Sequence, residues 1–314
     1  MVDVCLLGSG GMMPLADRWL TAMLLRHEGR LILVDCGEGT QIPFRQAGWG
    51  FRALDAILLT HYHADHTAGL PGLLLTVANS GRTEPLALYG PPGLRLLARA
   101  LDGFIPELPF PLIGTELPMD APSSFPVGDV TVGSLPADHR VPCLSYRFDV
   151  RRAGRFDPAR AKELGVPLPL WKRLQNGETV AVGERLVSPD RVVGPERRGI
   201  RVGYYTDTRP TPALPGFMKE CDLLIGEGLY ADDSLAEKAR ERGHMIFSQS
   251  AQIAAQSGSR ELWLTHFSPS LTDPEAALPA VRQIFPRTEA GRSGLKRSIA
   301  FGGQGSELPR QENR

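Results

Sequence analysis

Long apolar runs are missing from this 314-residue sequence: no stretch approaches the ~18 uninterrupted apolar residues that a membrane-crossing helix needs. Aromatic residues are scarce at 7%, yet 42% of the chain is apolar, so a sizeable core is available in one large or two medium domains. Cysteine is limited to positions 5, 36, 143 and 221, without a C-x-x-C pair and inside apolar stretches. This excludes a disulfide framework and predicts buried, reduced thiols. Net charge is also missing, 35 basic residues balancing 35 acidic ones, which excludes a uniformly basic nucleic-acid binder. The first residues, Met1 to Gly8, lack a basic leader and read as a strand, so the expected location is the cytoplasm, away from membranes.

What is present is an alternation of short apolar strands with loops and helical patterns, the signature of an α/β architecture. The runs 31–34, 53–59, 130–135, 200–205 and 262–264 each stop at polar residues: Asp35, Thr60-His61, Asp138-His139, Thr206-Asp207 and Thr265-His266. Polar side chains thus recur at the carboxyl ends of strands, where loops of open sheets converge on a site. The predicted organisation is one body in two halves, 1–150 and 203–302, separated by an insertion at 151–202 and followed by a frayed tail at 303–314. The insertion carries twelve basic residues against six acidic ones, a net +6 inside a body of −6. It reads either as an ordinary solvated surface segment or as an arm that grips a polyanion. Within it, Val166-Pro167-Leu168-Pro169-Leu170-Trp171 predicts an extended, proline-stiffened stretch.

Histidine is rare, with seven copies, but three of them fall in His61-Tyr62-His63-Ala64-Asp65-His66, directly after a predicted strand. Imidazole and carboxylate suit zinc and similar divalent ions, and alternate side chains of a strand-to-helix turn can serve two neighbouring metals. Further ligands are needed, and His139, Asp207 and His266 stand at other strand ends. We assign His61, His63 and His139 to one metal, Asp65, His66 and His266 to the other, and Asp207 as the bridge. Two such metals can activate a shared water and clamp the attacked group, which suits hydrolysis. His244 lies outside that set and is suited to protonate a leaving oxygen, with Glu227 fixing its far nitrogen. A helix-capping or plain surface histidine is the competing reading of His244. His27, beside Glu28 and Gly29, is expected to be a surface residue of a hairpin turn.

The hexapeptide resembles the H-x-H-x-D-H signature of the metallo-β-lactamase superfamily. More narrowly, the sequence resembles the ribonuclease Z family of precursor-tRNA-trimming endonucleases, through Gly8 to Pro14, Asp35 to Gln41, His66 to Leu74, Thr83 to Leu86, Tyr89 to Pro91, Asp207-Thr208-Arg209 and Leu264 to His266. The resemblance implies an αββα sandwich, two Zn2+ ions with Mn2+ as a substitute, and a homodimer. It also implies that the insertion is an arm clamping tRNA, with Lys172 and Arg173 on its return limb. In the mechanism expected on this reading, Arg209 or nearby amides balance the added charge and Asp65 accepts a proton from the attacking water. The chain departs from the family pattern at Gly226-Glu227-Gly228-Leu229, where His-Glu-Ala-Thr is usual, and at Thr206, where Gly is usual. It departs again at Ser270-Leu271, where an Arg-Tyr pair would supply a cation. The expected activity is removal of the 3′ trailer of precursor tRNA. A hydrolase of a small phosphodiester, ester or lactone is the alternative, and a non-enzymatic RNA-binding protein is disfavoured because no ligand is missing.

Overall fold

The computed structural model describes residues 1–105 and 107–302; the tail expected at 303–314 lies outside the described residues. The first half builds β1 (Val2–Gly8), β2 (Ala22–His27), β3 (Arg30–Val34), α1 (Gln41–Ala47), β4 (Leu54–Leu58), α2 (Ala64–Thr67), α3 (Leu70–Asn79), β5 (Leu86–Gly90), α4 (Leu94–Phe104) and β6 (Leu112–Glu116). Then follow β7 (Ser123–Val127), β8 (Val130–Pro136), β9 (Leu144–Arg152), α5 (Pro158–Glu163), α6 (Leu168–Gln175), β10 (Val180–Val182), β11 (Arg185–Val187) and β12 (Arg197–Tyr205). The remainder is α7 (Ala213–Phe217), β13 (Leu223–Glu227), α8 (Ala236–Arg242), α9 (Phe247–Ser257), β14 (Leu262–Thr265), α10 (Leu278–Ile284), β15 (Thr288–Ala290) and β16 (Leu295–Ile299).

Among the described residues these strands form two seven-stranded sheets, β16-β1-β2-β3-β4-β5-β6 and β15-β14-β13-β12-β9-β8-β7, plus the β10-β11 hairpin. Each large sheet is antiparallel on one side and parallel on the other, the parallel runs being β3 to β6 and β12 to β15. The period-two alternation of the strands explains the layering. In β1, Val2, Val4 and Leu6 face the core between the sheets, while Cys5 and Leu7 face the cluster shared with Phe44, Leu73 and Leu94 of α1, α3 and α4. In the second sheet Val202, Tyr204, Ile225 and Trp263 point into the same central core, and Tyr205, Leu224 and Leu264 pack under α7, α9 and α10. A sheet apolar on both faces must be covered on both, and the result is the αββα sandwich of the metallo-β-lactamase fold. All four cysteines are buried and unpaired, and among the described residues no helix is long and apolar enough to cross a membrane.

Segment 153–196 leaves the second sheet after Arg152 and returns at Arg197, which is paired with it across β9 and β12. It holds its own small cluster of Ala161, Val166, Leu174, Val180, Val187 and Val192. Two sequence expectations are corrected nearby and at the first hairpin. The proline-rich stretch is not extended: Pro167 precedes α6 and Pro169 occupies its first turn, where no backbone N–H is required, and Trp171 donates its indole N–H to the Val166 carbonyl at 2.9 Å. His27 is not a surface residue, since it ends β2 at 8% exposure and its Nδ1 lies 2.9 Å from the Met1 carbonyl oxygen.

Candidate metal centre

The cluster forms where the carboxyl ends of β4, β8, β12 and β14 meet. His61 and His63 follow β4 on extended backbone two residues apart, so both rings face one side, with Nε2 of His61 2.9 Å from Nδ1 of His63. Asp65 and His66 lie on α2, His139 follows β8, Asp207 follows β12, and His266 follows β14. The structure brings all seven nominated ligands together in two groups. His61, His63, His139 and Asp207 offer donor atoms within 4.8 Å of one another, as do Asp65, His66 and His266.

Asp207 divides its oxygens between the groups. Its Oδ1 lies 3.8 Å from His61 Nε2 and 3.9 Å from His139 Nε2, whereas its Oδ2 lies 3.2 Å from His66 Nε2 and 3.3 Å from His266 Nε2. Asp65 Oδ2 is 3.6 Å from the Nε2 atoms of both His66 and His266. Asp207 and His266 hold φ angles of 52° and 61°, a left-handed conformation that branched or bulky residues avoid, and the same is true of Asp35 at 60°. Such backbone strain recurs at three strand ends that converge on the cluster.

The surroundings fix each ring. Asp35, fully buried, accepts from Thr60 N–H at 2.8 Å and from the Tyr204 hydroxyl at 3.2 Å, and its Oδ2 lies 2.9 Å from Nδ1 of His66. His139 donates from Nδ1 to the Gly243 carbonyl at 2.9 Å. Gly243 sits at φ 82°, and a Cβ there would lie 2.6 Å from that same nitrogen, so only glycine allows the approach. The far nitrogen of His139, Nε2, is buried without a hydrogen-bond partner while facing Asp207, the arrangement a shared cation completes.

Charge balance points the same way. Burial would raise Asp207, but His266, His66 and His61 hold it well below the ordinary carboxylate range. Burial would lower His266, yet Asp207, Asp65 and Glu227 carry it up to about 10, and Asp207 and Asp35 likewise raise His66. Burial keeps His61, His63 and His139 low, and therefore neutral and available as ligands. Without a metal, two imidazolium groups supply the positive charge that the buried carboxylates demand. The donor set fits divalent cations.

Glu227 ends β13 fully buried, with one carboxylate oxygen on Nδ1 of His244 and the other accepting from Thr208 N–H at 3.0 Å. Its Oε1 also stands 3.5 Å from Nδ1 of His266, so one carboxylate adjoins both His244 and the metal cluster. Burial would raise Glu227, but His244 beside it keeps it low. The departure at Gly226 has a local explanation: a Cβ there would run into the Tyr205 hydroxyl, so that ring fills the space a larger residue would take. Asp35 was noted only as a polar strand end without a site role, and Thr21, whose hydroxyl accepts from His266 N–H at 3.0 Å, was not singled out from the sequence. Asp35 had a usable signal, the polar stop directly after an apolar strand.

The three nominated substrate-binding residues differ in their surroundings. Arg209 does not point freely at the cluster: it donates to Asp138 Oδ1 at 2.9 Å and to the Arg240 carbonyl at 2.6 Å. Lys172 and Arg173 are exposed on α6, with Arg173 paired to Glu178 at 2.9 Å. The +6 of the insertion also resolves differently in space. Five of its twelve cations, Arg151, Arg152, Arg197, Arg198 and Arg201, belong to β9 and β12, and three of these pair with Glu196, Asp222 and Asp149. Segment 153–196 itself holds seven basic and six acidic residues.

Comparison with known proteins accords with this geometry. The metallo-beta-lactamase superfamily profile matches residues 21–139. Ribonuclease Z of Lachnoclostridium phytofermentans is 44% identical and that of Clostridium kluyveri 46%, each alignment covering 96% of this chain and 99% of the relative. The crystal structure of human tRNase Z, short form, superposes with a TM-score of 0.67 at 24% identity, covering 95% of this chain and 99% of that one, a likeness of fold. With identity of this degree over 96% of its length, the chain belongs to the ribonuclease Z family.

Proposed function

We propose that this protein is a dinuclear metal-dependent endoribonuclease that removes the 3′ trailer of precursor tRNA. The observation that carries the reading is the division of Asp207 between two groups of histidines, with the Glu227–His244 pair alongside. His61, His63 and His139 would hold one ion and Asp65, His66 and His266 the other, with Asp207 available to both. Two zinc ions are the favoured occupants, with manganese as a substitute; when bound they supply Lewis-acid activation of water and neutralise charge on the phosphate. Asp65 orients the attacking water and accepts its proton. Glu227 anchors Nδ1 of His244, which leaves Nε2 to protonate the departing 3′ oxygen.

The family relationship supports an RNA substrate, and the exposed cations of 153–196, Lys172 and Arg173 among them, are offered as its contacts away from the cut. Exposed Leu75, Leu96, Phe104 and Ile113 on the neighbouring α3, α4 and β6 provide apolar surface for a homodimer. Four buried thiols suit a reducing, cytoplasmic setting.

The test is to incubate purified protein of measured metal content with precursor tRNA and map the 3′ ends, beside bis(p-nitrophenyl) phosphate and a lactone. Trailer removal is expected. Metal-loaded protein that turns over the small phosphodiester but leaves the trailer in place would reject the substrate assignment.

A further inference from the structure

A phosphate held at a metal cluster needs cationic partners from the protein, and the cations nominated by sequence do not provide one at the mouth of the site. Arg209 is committed to Asp138 and the Arg240 carbonyl, so engaging a substrate would first cost a charge-assisted bond. At the other rim Ser270 carries no charge and its hydroxyl bonds Ser268 at 2.7 Å.

Arg140 stands in a different situation. It directly follows the ligand His139 and is exposed. Its side chain makes no ion pair or hydrogen bond with any described residue; the neighbouring carboxylate, Asp138, is taken by Arg209. The loop residues just before it are held by hydrogen bonds. Ala137 N–H donates to the Cys143 carbonyl at 2.9 Å, Asp138 N–H to the Thr208 hydroxyl at 3.0 Å, and Arg209 N–H to the Asp138 carbonyl at 2.9 Å. The His63 and His139 rings stand edge to face with centroids 5.2 Å apart, so the loop that carries His139 and Arg140 borders that side of the cluster. An exposed guanidinium beside a metal ligand, with no competing carboxylate, is suited to bidentate phosphate recognition.

We propose that Arg140 binds a backbone phosphate of the RNA substrate at the mouth of the cluster, on the side of His63 and His139. This rests on the endoribonuclease reading and names a substrate-binding residue for it. The experiment measures kcat/KM on precursor tRNA as a function of salt for the metal-loaded wild type, Arg140→Gln and Arg140→Lys, with metal content determined for each. Arg140→Gln should lower kcat/KM about tenfold or more, the loss of one charged hydrogen-bonding partner, and make the logarithmic salt dependence shallower by about one. Arg140→Lys should restore the salt dependence, because it restores the charge. An unchanged slope and rate in Arg140→Gln overturns the proposal, and so does failure of lysine to restore the slope, which marks the loss as structural. Wild-type protein that leaves precursor tRNA uncut is a separate result, one that sinks the parent reading.

Discussion

The metal cluster and the inserted segment 153–196 were both conspicuous as sequence, one by its histidines and the other by its cations, but they differ in how the fold uses those charges. At the cluster, ionisable groups from β4, α2, β8, β12, β13 and β14 are buried together, and each carboxylate faces imidazoles at 3 to 4 Å. In the insertion, three of the five cations nearest the body are paired one by one with the carboxylates Glu196, Asp222 and Asp149. A charge tally therefore overstates what an exposed surface can offer to a polyanion, whereas a cluster of buried ligands cannot be neutralised without an ion or protons.

The sharpest way to break this contrast is at the cluster. His63→Ala should abolish turnover and lower bound metal, checked by metal analysis beside activity; full turnover with the metal lost would detach the cluster from catalysis. Next in size, His244→Ala should retain metal and lose about 100- to 10,000-fold in rate, the usual range for a general acid. Undiminished rate would remove His244 from the mechanism. Asp35→Asn, by loosening the hold on Nδ1 of His66, should weaken metal affinity about 10- to 100-fold, measurable by competition with a chelator.

The pH response separates the regions as well. In metal-free protein the folded-state pKa values of His266 and His66 are raised above the ordinary 6.5, so their protonated forms stabilise the fold fully below that value. That contribution is lost as pH rises through the folded value, about 10 for His266. Metal uptake must expel the same protons, so affinity should climb across this window while metal-free stability falls. A pH-independent affinity would contradict the charge balance described for the cluster. The smallest effect is expected from removing residues 155–194. Turnover of bis(p-nitrophenyl) phosphate should stay within about twofold, while the salt dependence of tRNA affinity flattens by roughly one for each phosphate lost. An unchanged slope would take the segment out of the RNA contact.

Much of the cluster was legible because its ligands obey a local rule: each stands at the end of an apolar strand, and the hexapeptide concentrates three histidines and a carboxylate in one turn. Asp35 followed the same rule but, lacking a histidine beside it, did not stand out until the fold set it against His66. The stretch around Pro167 misled because proline is as compatible with the first turn of a helix as with an extended chain, and the cluster around Leu174 decides between them. His27 misled because a turn residue need not be exposed when the neighbouring terminus covers its ring.

By itself the sequence determined the strand pattern, the chemical character of the ligands and the order in which they arrive, since these follow from alternation and residue type along a single line. Only the tertiary structure decided which oxygen of Asp207 faces which group, that Glu227 adjoins both His244 and His266, and that Arg209 is occupied while Arg140 is open. The reason is physical: electrostatic partnership depends on separations of a few ångströms between residues tens to hundreds of positions apart, and the packing of the two sheets alone sets those distances.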